Sequence, residues 1–156
     1  MSGTGKSTLI RALAARGHKA VDTDSDEWSE WAVDRGASPG GEAGGADWIW
    51  REDRLRRLLA TADADALFVA GCKSNQGKFY PQFDHVVLLS APTPVLLERL
   101  ATRTTNPYGK RPDELARILR HIETVEPLLR RAATAEVDTS APLEEVVETV
   151  LALVRA

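Results

Sequence analysis

The chain is predicted to be an α/β protein, a parallel sheet with helices on both faces. Apolar runs of strand length at 67–70 and 86–89 alternate with helical stretches, as in a parallel sheet whose strands are covered on both sides. A glycine-rich phosphate-loop motif at 1–8 runs straight into an amphipathic helix. The length, 156 residues, suits one domain, 1–156, with a single core.

The first element is the loop Met1-Ser-Gly-Thr-Gly-Lys-Ser-Thr8, most of the pattern G-x-x-x-x-G-K-[ST]. The first glycine of that pattern would fall upstream of Met1, and so would the strand that precedes such a loop. The natural protein is therefore expected to begin upstream of Met1. Gly3 and Gly5 carry no Cβ, so the backbone around Thr4 can turn and approach phosphate oxygens. Its N–H groups then form an anion nest at a helix N-terminus. Lys6 would reach the β- and γ-phosphates, Ser7 would offer its hydroxyl to Mg²⁺, and Thr8 would sit close to the α-phosphate.

The helix continues over 9–16 and stops at Gly17. A short strand at 19–22 follows. Residues 35–46 carry five glycines and a proline and read as a loop. Residues 48–60 read as helix, 67–70 as a buried strand ending at Gly71, and 86–89 as another. Pro92 and Pro94 open the next helix. Residues 106–111 are a loop, 112–131 the longest helix, 135–138 the last strand and 143–154 the closing helix, with Ser140 or Thr139 as its cap.

Net charge is −3, so no basic field points to nucleic acid. Cys72 is the one cysteine, which excludes an internal disulfide and fits a reducing, cytoplasmic setting. No apolar run reaches membrane-spanning length, so no membrane partner is expected. His18, His85 and His121 lack metal-ligand spacing.

Asp22 and Asp24 follow the strand at 19–22, and ligands of parallel α/β sheets sit at the carboxyl ends of strands. Two carboxylates there can hold Mg²⁺ through water or accept a proton from a substrate hydroxyl. The alternative is helix capping, for a segment starting near Glu27. Asp26 and Glu27 read as its solvated first turn. Arg51, Arg54 and Arg57 recur every third residue, near one helix face, where one could bind an anionic substrate by a bidentate fork. Trp28, Trp31, Trp48 and Trp50 flank the glycine-rich loop, either walling a pocket or packing a small subdomain. Gly71, Cys72 and Lys73 follow the strand at 67–70, a ligand-facing position. Arg99, Arg103, Lys110 and Arg111 surround Asn106-Pro-Tyr-Gly109 and look like a lid that delivers cations to a transferring phosphoryl group.

These features resemble the small P-loop kinases, which include nucleoside monophosphate, shikimate and gluconate kinases, over nearly the whole chain. Shikimate kinases give the nearest pattern. Asp22-Thr-Asp24 looks like their Asp-x-Asp, Trp50-Arg51 like their aromatic-Arg pair, Lys110-Arg111-Pro112 like their lid, and Val137-Asp138-Thr139 like their adenine-side loop. Arg54 stands where the family has Glu, and Ala70 and Cys72 replace glycines beside Gly71. Thr124-Val-Glu-Pro-Leu-Leu129 lacks the second carboxylate-binding arginine and the tyrosine of that family.

The resemblance implies a three-layer sheet in strand order 2-3-1-4-5, lacking its first strand here, and ATP- and Mg²⁺-dependent phosphoryl transfer to a small-molecule acceptor. A nucleotide, a polyol, a hydroxy acid or another hydroxyl compound remains open as that acceptor. In this reading Lys6, Asp24, Arg103 and Arg111 are catalytic. Gly3, Thr4, Gly5, Lys6, Ser7, Thr8, Arg103 and Thr139 hold the nucleotide. Asp24, Arg51, Gly71 and Cys72 face the acceptor, bound about 23–60, and Ser7 and Asp22 hold Mg²⁺. The lid spans about 103–112. The rivals are a regulatory nucleotide-binding module and a truncated, inactive kinase. The apolar run at 86–89 ends in Ser90 rather than Asp, which argues against an AAA-type motor.

Overall fold

A computed structural model describes residues 1–33 and 46–156. The predicted loop at 35–46 lies outside the described residues except for Ala46. The chain forms two compact units, residues 10–84 and residues 1–9 with 85–156.

In the first of these, β1 (Lys19–Asp22) pairs in parallel with β4 (Leu67–Ala70), Lys19 opposite Leu67 and Asp22 opposite Ala70. Helix α1 (Lys6–Ala15) leads into it and starts earlier than predicted, taking in Lys6, Ser7 and Thr8. It ends as predicted at Gly17. The Gly17 N–H donates to Ala14 O at 2.9 Å and the His18 N–H to Leu13 O at 3.1 Å, the two bonds of a Schellman cap.

Residues 48–50 are not helical. They belong to β3 (Ala46–Trp50), antiparallel to β2 (Ser29–Val33), and α2 begins only at Glu52 and ends at Ala60. The run Trp-Ile-Trp has the aromatic and β-branched side chains that favour a pleated surface, and cross-strand packing decides the matter: Trp31 and Trp48 stand opposite each other with rings 5.1 Å apart. The same pairing overturns the helix expected near Glu27. Asp26 and Glu27 are exposed, as expected, but in a turn closed by bonds from Trp28 and Ser29 N–H to Ser25 O. Arg51 precedes α2, so it does not share a helix face with Arg54 and Arg57. Trp50, Leu55, Leu58 and Phe79 form the buried core of this unit, with Trp50 edge-on to Phe79 at 5.7 Å. Phe79 comes from a 3₁₀ turn, Gln76–Gln82.

In the second unit β5 (Val87–Ser90) pairs in parallel with β6 (Ala135–Asp138). Helices α3 (Thr93–Thr102), α4 (Pro112–Thr124), α5 (Glu126–Ala132) and α6 (Leu143–Arg155) complete it. The predicted helix 112–131 is broken at Val125. Pro127 has no N–H to donate to Glu123 O and its ring would clash there, so the chain restarts as α5. The last helix has Pro142, not Ser140 or Thr139, at its cap. Ser140 instead binds Asp138 Oδ1 through both its N–H (2.8 Å) and its hydroxyl (2.7 Å). Val146, Val147, Val150 and Leu151 make one buried face of α6.

A single parallel sheet in order 2-3-1-4-5 is not found among the described residues. The parallel pairs β1–β4 and β5–β6 are separate two-stranded sheets. Residues 1–5 contain no strand to stand as the first. Among the described residues no helix is long and apolar enough to cross a membrane.

Candidate functional site

The loop before α1 has the backbone of an anion nest. Gly3 and Gly5 hold φ of +80° and +90°, a region side-chain-bearing residues rarely enter. Among the described residues a Cβ at Gly5 would meet nothing within 4 Å. Thr4 is buried and its hydroxyl donates to Met1 O at 2.9 Å, which closes the turn from inside. Leu9 N–H makes the first bond of the helix, to Gly5 O at 2.9 Å. The helix N-terminus therefore opens onto the loop with its partial positive charge. Lys6 Nζ donates to Met1 O, which keeps the ammonium at the loop, and Ser7 and Thr8 are exposed on the first turn. These residues fit a phosphate group chelated with Mg²⁺: backbone donors, one cation and one hydroxyl stand within a single turn.

A second constellation stands at the carboxyl ends of β1 and β4. Thr23, between the two predicted carboxylates, is fully buried. Its hydroxyl donates to Ala70 O at 2.6 Å and accepts from Trp50 Nε1 at 2.7 Å. Its carbonyl accepts from Ser29 Oγ at 2.7 Å. Asp22 Oδ1 accepts the Asp24 N–H at 3.1 Å, a local turn that shapes the pair. The Asp24 carboxylate is half-exposed and pairs with Lys73, whose side chain is only 5% exposed. A nearly buried ammonium needs such a partner. Lys73 also lies 5.9 Å from the Trp48 ring, so its head is held between the end of β1 and β3.

Gly71 has a packing reason to be glycine, since a Cβ there would collide with Thr23 Oγ1 and press on the Trp50 indole. Cys72 is a half-buried free thiol beside it. Arg51 donates to Asp26 O and to Glu30 Oε2, both at 2.9 Å, so its fork is engaged within the β2–β3 region.

In the predicted lid segment, Arg103 donates to Tyr108 O, and its Nε is buried without a hydrogen-bond partner among the described residues. Burial also lowers the pKa of this guanidinium. Arg111 is exposed at the start of α4, paired with Asp113 at 3.3 Å. Gly109 N–H (3.0 Å) and Arg111 N–H (3.4 Å) both donate to Glu114 Oε2, which ties the loop to the helix. Arg99 departs from the lid expectation, as its guanidinium turns to Gly3 and Thr139. Thr139 is buried and holds the chain after β6 against Ser90 O.

Thr23, Arg99 and Lys73 are thus the functional-region residues that the pattern of the sequence underweights. Lys73 could have been found from its place just past β4. Arg99 leaves no local signal, because its partners lie 96 and 40 residues away.

The geometry at 1–9 is that of a P-loop nucleotide-binding domain. The protein-family model described as an AAA domain matches residues 1–120, and the chain belongs to that family. A search of curated proteins found no match.

Proposed function

We propose that this protein is an ATP- and Mg²⁺-dependent phosphotransferase acting on a small-molecule acceptor. The observation that carries the reading is the Asp24–Lys73 pair at the strand ends of a P-loop domain. A half-exposed carboxylate held by a nearly buried cation is a preorganised acceptor for a substrate hydroxyl. Lys6 neutralises the β- and γ-phosphates, and the backbone between Gly3 and Ser7 cradles them. Ser7 and Asp22 are the residues that would hold Mg²⁺, which would supply charge stabilisation to the phosphate oxygens. Asp24 orients or deprotonates the acceptor hydroxyl, with Arg51, Gly71 and Cys72 on the acceptor side. Arg103 and Arg111 meet the charge that develops on the transferring group. The nucleotide base lies by Arg103 and Thr139.

The test is a screen of ADP release across nucleotides, sugars and hydroxy acids, with Lys6→Ala as control. The proposal expects release that depends on one acceptor class and vanishes in Lys6→Ala. ATP binding with no acceptor-dependent release would make the chain a binding module instead.

A further inference from the structure

Arg99 makes three hydrogen bonds to two distant segments. Nη1 donates to Gly3 O at 3.2 Å and to Thr139 Oγ1 at 2.9 Å, and Nη2 donates to Thr139 O at 2.5 Å. Thr139 is itself fixed, its N–H donating to Ser90 O at 2.8 Å and its hydroxyl to the same oxygen at 3.2 Å. The planar fork of arginine suits this task, since it can serve several carbonyl and hydroxyl oxygens at once.

The bond to Gly3 bears on the nest directly. Gly3 C=O and Thr4 N–H belong to one planar trans peptide and point in opposite directions. Glycine at position 3 makes that peptide easy to rotate. Holding Gly3 O on the Arg99 side therefore holds Thr4 N–H on the other side. We propose that Arg99 is a positioning residue of the nucleotide site: it locks the Gly3–Thr4 peptide and couples it to the segment after β6. The inference rests on the reading that residues 1–8 bind nucleotide phosphates.

The test uses the full chain, titrated calorimetrically with inorganic tripolyphosphate and with ATP, each with Mg²⁺. The proteins are wild type, Arg99→Met, Arg99→Lys, Thr139→Val and the Arg99→Met/Thr139→Val double variant. Circular dichroism melts check that each is folded. Tripolyphosphate has no base, so it reads the phosphate loop alone.

Arg99→Met is expected to weaken tripolyphosphate binding about 10-fold, the scale of one misdirected hydrogen bond to a charged group. Arg99→Lys should fall between it and wild type. Thr139→Val should weaken tripolyphosphate binding several-fold in the wild-type background and add nothing in Arg99→Met. If Arg99→Met does not fold, a wild-type affinity in Arg99→Lys and Thr139→Val overturns the proposal, and a loss in both supports it. Wild-type affinity in a folded Arg99→Met overturns the proposal while leaving the phosphate-loop reading in place, and an equal Thr139→Val effect in both backgrounds overturns the coupling to the segment after β6. A folded wild type that binds neither ligand overturns the phosphate-loop reading and the role of Arg99 with it.

Discussion

The indole N–H of Trp50 donates to Thr23 Oγ1 at 2.7 Å, and the Thr23 hydroxyl passes the chain on to Ala70 O at 2.6 Å. One buried hydroxyl thus joins the ends of β1 and β4 to β3 and sets the position of Asp24 beside it. The missing side chain of Gly71 makes room for this contact.

Two substitutions test that relationship. Trp50→Phe removes the indole donor from a buried site and should cost about 1–3 kcal/mol. Gly71→Ala overpacks the same spot and should cost at least about 1–3 kcal/mol, with the neighbours displaced. Urea denaturation would measure both. A Gly71→Ala midpoint equal to wild type would mean that the strand ends yield freely.

Asp24→Asn should lower turnover far more than Asp26→Asn, by about 10²-fold or more if it acts as base or orienter. Asp24 is held by Lys73, whereas Asp26 is exposed in a turn. Steady-state rates with the acceptor found by the screen would decide it. Equal, small effects would reduce both carboxylates to surface charges.

Arg111→Ala should lower turnover more than it weakens ATP binding. Its side chain is exposed and paired with an exposed Asp113, so little ground-state structure depends on it. The charge it meets develops during transfer. Comparing kcat with the directly measured ATP affinity separates the two effects. A change in affinity alone would assign Arg111 to the nucleotide pocket.

Acid stability should carry the signature of Glu136. Arg130, which also binds Glu126, hydrogen-bonds the Glu136 carboxylate and lowers its pKa to about 2. A depressed carboxylate contributes stability that is fully present above its unfolded pKa, near 4.5, and is lost as pH falls through about 2. Glu136→Gln should therefore flatten the loss of stability between pH 4.5 and 2. Denaturation midpoints across that window, compared with wild type, would check it. Parallel curves would show that other carboxylates carry the acid response.

Features set by local stereochemistry are legible along the chain. The phosphate loop follows from Gly3, Gly5 and Lys6 ahead of a helix. The end of α1 follows from Gly17, and β4 and β5 follow from short apolar runs between turn residues. Each of these needs only neighbouring residues to be specified. The tertiary structure decided the rest. Trp48-Ile-Trp50 reads as the start of a helix until Trp31 stands across from it, and pairing at that distance is invisible along the chain. Lys73 and Asp24 are 49 residues apart, and Arg99 and Gly3 are 96 apart. A buried cation finds its partner by folding, because only in three dimensions does the cost of losing water fall on both groups at once.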